Sequence, residues 1–197
     1  MHGCYSGART ECGREMSVSE VMADILADKL YYRTSGGVTL SGGEPLAHRE
    51  FALALIKACR EEKIHTGIET SLYRFDHNLL SSCDLIMADL KIFDDALHKK
   101  WTGIGNDEIK KNLKRADALN LPIIVRTPIL PGINNTEENI RKTAGFLREL
   151  KNIQAYELLP YHPLGLSKAA ALGLEMQKFP IPTSQEMEEL KRYAELS

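Results

Sequence analysis

Close cysteine pairs are missing from this sequence. The four cysteines, Cys4, Cys12, Cys59 and Cys83, stand in no CxxC or other tight spacing, so spacing alone defines no metal site. The opening stretch MHGCYSGARTECGREMS has no apolar centre, which argues against a secretory leader and hence a disulfide framework. No apolar run approaches the ~20 residues that a spanning helix needs. Charge of one sign is also lacking. The net charge is −2 over 197 residues, too little to attract nucleic acid or an anionic membrane. The expectation is a cytoplasmic chain with neither nucleic acid nor membrane as partner. Its length suits one domain with one sizeable core.

What is present is alternation. Ser17 to Glu20 is a capping box opening an amphipathic helix to about Leu30. Short apolar strands are expected at 37–40, 64–69, 84–90, 122–128 and 155–159. Helices are expected at 49–62, 76–82, 107–119 and 136–150, and a second capping box at Thr183 to Glu186 opens a last one. Cys59 lies in the apolar pattern FALALIKAC and reads as a buried free thiol; Cys83, just before a strand, reads as structural. Near-continuous apolar strands alternating with helices indicate an α/β fold with a parallel sheet. A doubly wound sheet and a (β/α) barrel both fit, and either places chemistry at the C-terminal strand ends.

Polar clusters fall at those ends: Ser41-Gly42-Gly43-Glu44, Glu69-Thr70-Ser71, Asp89-Leu90-Lys91, Arg126 and Tyr161-His162. Gly42 and Gly43 allow close approach of backbone to ligand, and with Glu44 they suit an ammonium group; a plain turn before Pro45 explains them equally. Asp89 and Lys91 point the same way on a strand. Lys91 suits a carboxylate, a Schiff-base amine of an aldolase-type barrel, or an ion pair at the sheet edge. Glu69 and Asp89, if they meet, need a proton, a cation or a lysine between them. Thr70 and the Met87 backbone would complete an oxygen-lined cation site. His162 suits stacking on a planar ligand, or structural packing. His65 and His98 read as scaffold or excursion residues.

Taken in order, SGGEPL, HTGIETS, DLIMADLKIFDDALHKKWTG, PILPGIN and ELLPYHPLG resemble the activating enzymes of glycyl radical enzymes, the pyruvate formate-lyase-activating type within the radical S-adenosylmethionine (SAM) superfamily. The resemblance runs from about Cys4 to Lys168. It implies a partial (β/α)6 TIM-like barrel, here without its first strand. It implies an oxidoreductase that reductively cleaves SAM to a 5′-deoxyadenosyl radical, which takes a hydrogen from a glycine of a partner glycyl radical enzyme. An electron donor such as flavodoxin or ferredoxin is implied as well. Gly42, Gly43 and Glu44 would receive the methionine amino group and Lys91 its carboxylate. His162 would contact the nucleoside, and Arg126 would line the pocket. Glu69, Thr70, Met87 and Asp89 would match a monovalent-cation site.

One departure is large. Such enzymes hold a [4Fe–4S] cluster on a CxxxCxxC loop, and this sequence has none. GCYSG at 3–7 resembles the last cysteine of a ferredoxin-type insert, so residues 1–16 read as an insert remnant with Cys4 an orphan cluster ligand, and 17–197 as the barrel. The expectation is a chain that does not cleave SAM as it stands. A cluster-free SAM-binding or scaffold module is the alternative, with the Lys91 aldolase reading behind it. Leu72 is a smaller departure, standing where the family tends to have glycine.

Overall fold

The computed structural model describes residues 13–32 and 36–196; Cys4, Cys12 and the expected insert remnant up to residue 12 lie outside them. Helix α1 (Val18–Ala27) starts on a complete capping box. Ser17 N–H donates to Glu20 Oε2 (2.7 Å), and Glu20 N–H donates back to Ser17 Oγ (3.3 Å). A single turn, α2 (Lys29–Tyr32), precedes β1 (Gly37–Leu40). A 3-10 turn at Pro45–His48 leads into α3 (Arg49–Glu61), which buries Ala52, Leu55, Ile56 and Cys59 at helical spacing. There follow β2 (His65–Thr70), α4 (His77–Leu80), β3 (Leu85–Asp89), α5 (Asp95–Thr102), α6 (Asp107–Asp117), β4 (Ile123–Ile129) and α7 (Glu137–Leu147). The chain continues through β5 (Ile153–Pro160), α8 (Gly165–Ala171) and α9 (Ser184–Tyr193). No helix of the described residues is long and apolar enough to cross a membrane.

All five strands are parallel and lie in the order β1-β2-β3-β4-β5. A doubly wound sheet reverses its strand order at a switch point; here strand order simply follows the chain, as in a barrel left open. The sheet has two unlike faces because side chains alternate along each strand. Ile68, Ile86, Ala88, Ile123 and Val125 face the helices and are fully buried. Each large aliphatic among them contributes about 1.5–3 kcal/mol. The intervening residues Glu69, Met87, Asp89 and Arg126 are only half-buried on the other face. A smaller core of Ile129, Ile140, Leu158, Met187 and Leu190 seats α9 against β4, β5 and α7.

The structure differs from expectation mainly between β3 and α6. That stretch holds a helix, α5, that the apolar pattern does not announce. Of its residues only His98 is buried, so it carries no apolar stripe. Its ends are nonetheless marked, by Asp94 accepting from Leu97 N–H and by Gly103 at φ +84°. β5 runs two residues further toward the N-terminus than expected; its burial is partial along most of its length, as suits a strand paired on one side only. Cys59 and Cys83 are both buried free thiols, and burial pushes the Cys83 thiol up to about 12.

Candidate cofactor-binding site

A cavity of about 290 Å3 opens at the C-terminal strand ends, lined among others by Gly42, Gly43, Glu44, Lys91, Ile104 and Arg126. Gly42 sits at φ +122°, which an L side chain rarely adopts. A Cβ added to Gly43 would meet nothing within 4 Å, so the two glycines leave a bare backbone edge with room beside it. Neither residue's carbonyl accepts a hydrogen bond from the described residues.

Glu44 is differently placed from a free carboxylate. Its Oε1 accepts from Thr70 Oγ1 (2.7 Å), and its Oε2 accepts from Ser71 Oγ (2.7 Å) and Ser71 N–H (3.1 Å). Glu44 thereby ties the loop after β1 to the loop after β2, and Thr70 is turned toward it.

Glu69 and Asp89 do meet, across Arg126. Arg126 Nη1 donates to Glu69 Oε1 (2.8 Å) and Nη2 to Asp89 Oδ1 (3.4 Å). The positive charge between the two carboxylates is thus a guanidinium. Ser41 Oγ adds a bond to Glu69 Oε2 (2.9 Å). The Arg126 hydrogen bond holds the Glu69 carboxyl below its ordinary range. Burial pushes Asp89 the other way, upward, against the opposing pull of Lys91 and Arg126. Arg126 Nε is buried without a partner among the described residues.

Lys91 is half-buried and lines the cavity; its carbonyl accepts from Asn134 Nδ2 (2.7 Å), yet its ammonium enters no hydrogen bond or ion pair with the described residues. A half-buried ammonium with no anion at ion-pair distance is a ready partner for a ligand carboxylate.

Two expected residues stand apart from the lining. His162 is exposed just beyond β5, and Met87 is half-buried on the cavity-side face of the sheet, opposite Glu69 in register. Sequence reasoning missed Tyr73, Arg74 and Ile104, which also line the cavity. Their only signal was position, in the loops that follow β2 and α5. Of the remaining histidines, His65 begins β2 exposed, and His98 is buried in α5.

A five-stranded open barrel with its polar cavity at the strand ends agrees with known proteins. The sequence matches the radical SAM superfamily over residues 2–147. A (2S)-3-sulfopropanediol dehydratase activating enzyme of Klebsiella oxytoca is 46% identical over 168 residues, covering 82% of this chain and 53% of that protein. The pyruvate formate-lyase-activating enzyme of Clostridium pasteurianum is 37% identical over 166 residues, 83% of this chain and 70% of that one. The crystal structure of a domain of pyruvate-formate lyase-activating enzyme from Bacteroides vulgatus superposes with a TM-score of 0.67 at 28% identity, over 81% of this chain and 93% of that one. The chain belongs to the radical SAM superfamily, among the relatives of its glycyl-radical-enzyme activating enzymes. It spans about half the length of several of these relatives, 53% of the Klebsiella protein for example.

Membership implies SAM and a [4Fe–4S] cluster. SAM suits the residues present: an unpaired half-buried ammonium and an uncrowded glycine edge share one cavity. The cluster does not fit the described residues, among which no three His, Cys, Asp or Glu side chains are grouped to hold a metal.

Proposed function

We propose that this cavity binds SAM, and that the chain supplies the SAM-binding barrel of an activating enzyme whose partner is a glycyl radical enzyme. The observation that carries this reading is Lys91, unpaired on the same cavity as the Gly42–Gly43 edge. Lys91 takes the methionine carboxylate. The unbonded carbonyls of Gly42 and Gly43 take the ammonium, while Glu44 fixes the loops that frame them. Arg126, steadied by Glu69 and Asp89, walls the cavity without spending a charge on the ligand. His162 reaches the nucleoside from beyond the cavity lining. In an enzyme that also held the cluster, bound SAM would supply, on one-electron reduction by a donor such as flavodoxin or ferredoxin, a 5′-deoxyadenosyl radical to take hydrogen from the partner's glycine. The sequence carries no CxxxCxxC motif, and on this reading the chain alone binds SAM without cleaving it.

Equilibrium dialysis against SAM tests the reading. The chain is expected to bind, and Lys91→Ala to weaken binding about tenfold or more, the loss of a charge-assisted hydrogen bond. Equal affinities would sink the assignment. After anaerobic treatment with iron and sulfide, the same sample should show no four-iron absorbance and release no 5′-deoxyadenosine. Either product would refute the cluster-free state.

A further inference from the structure

We propose that His98 is a positioning residue for this cavity, acting through Ile104; the proposal rests on the reading of the cavity as a SAM site. His98 is only 2% exposed, in a helix whose other side chains are not buried. Its Nδ1 lies 2.8 Å from the carbonyl oxygen of Ile104. That oxygen can only accept, so Nδ1 carries the proton. Thr102 Oγ1, one helical turn on, stands 3.0 Å from both Nδ1 and the Ile104 oxygen. The other ring nitrogen, Nε2, is buried and has no partner among the described residues.

Ile104 is the one residue of the α5–α6 connector that lines the cavity, and His98 grips its backbone. The connector is tied at its far end as well. Asn106 Nδ2 donates to Ile92 O (2.6 Å) and Phe93 O (2.9 Å), the residues directly after Lys91. Asp95 Oδ1 accepts from Asn106 N–H (2.6 Å). At Gly105 a Cβ would lie 2.5 Å from that same Asp95 oxygen, so any side chain here would displace the carboxylate that holds Asn106. Lys91 and Ile104 are therefore set relative to one another by a single hydrogen-bonded unit, with His98 as its pin on the Ile104 side.

A buried imidazole with an orphaned nitrogen is a poor choice for stability alone, since an unpartnered buried polar atom is destabilising. Leucine would fill the volume without it. The retained function is the directed N–H, and this separates positioning from packing. His98→Asn keeps an N–H on the same ring-side atom; His98→Leu removes it.

The test is SAM affinity by equilibrium dialysis, with thermal unfolding on every variant. His98→Leu is expected to unfold within a few degrees of the unmodified chain yet bind SAM about tenfold more weakly, and His98→Asn to recover to within about threefold. In an Ile104→Gly background, His98→Leu should add less than about twofold, because residues acting through one another are not additive. Equal weakening by the Asn and Leu variants, full additivity with Ile104→Gly, or unchanged affinity in folded His98→Leu each overturns the positioning role. Failure of the cavity reading is seen separately: the unmodified chain would not bind SAM, or Lys91→Ala would bind as well as it does, and the proposal falls with that reading.

Discussion

Leu72 has a left-handed backbone, φ +52°, while wholly buried just beyond β2. That conformation costs an L residue about 1–2 kcal/mol, and a buried leucine returns about 1.5–3 kcal/mol. The turn is also secured on both sides: Leu72 N–H donates to Thr70 Oγ1 (3.0 Å), and Leu72 O accepts from Asn112 Nδ2 (2.9 Å). Leucine thus stands in a glycine conformation because its packing outweighs its strain. Leu72→Ala loses the packing and keeps the strain, whereas Leu72→Gly loses the packing and is relieved of the strain. Urea unfolding should find the glycine variant about 1 kcal/mol more stable than the alanine variant; the reverse order would show that φ is not the governing term. At this scale the sequence was a fair guide to which residues matter and a weaker one to what they touch. The chemistry of Gly42, Gly43, Lys91 and Arg126 was visible in residue type and strand-end position. That the Arg126 guanidinium lies between Glu69 and Asp89 required knowing that β4 runs beside β3 in register, Asp89 opposite Arg126.

Elements were legible where an apolar period marks them. α1, α3, α6, α7 and β1 to β4 fall within a few residues of expectation. α5 did not, because it buries an imidazole where other helices bury aliphatics, and Ile104 was missed with it. α9 was announced by its capping box, which is complete: Thr183 N–H donates to Glu186 Oε2 (2.7 Å), and Glu186 N–H to Thr183 Oγ1 (3.2 Å). What holds α9 is a core distinct from the main one, with Met187 and Leu190 on Ile129, Ile140 and Leu158. Leu190→Ala should cost about 2–5 kcal/mol locally. By hydrogen exchange, α9 and the β5 edge should lose protection while β2 and β3 keep theirs. Uniform loss across the sheet would show that the two cores unfold as one.

For the whole molecule, strand order agrees with the open barrel that the family resemblance implied, a choice that strand–helix alternation alone left open. The Glu69–Arg126–Asp89 brace joins β2, β3 and β4 and links global stability to pH. Glu69 has a depressed folded value, so its contribution is present above its ordinary 4.5 and is lost as the pH falls through the depressed value. Asp89 has a raised folded value, so its contribution is complete below its ordinary 3.8 and is lost as the pH rises through the raised one. At pH 7, Glu69→Gln should therefore destabilise by about 1 kcal/mol, kept small by partial exposure. Asp89→Asn should be at least as stable as the unmodified chain. As the pH falls, the Asp89→Asn difference should close toward 3.8 and below, and the Glu69→Gln difference should decline below 4.5; denaturant titrations across this range check both trends, and equal signs at pH 7 would refute the assignment. The chain also carries its own optical reporter. Its one tryptophan, Trp101, rides on α5 one turn from His98, with its ring 6.0 Å edge-on from Phe179 of the segment before α9. It is 40% exposed. Its emission colour and quenching by added iodide follow the surroundings of that helix, so the order of the connector above the cavity can be monitored in solution without attaching a dye.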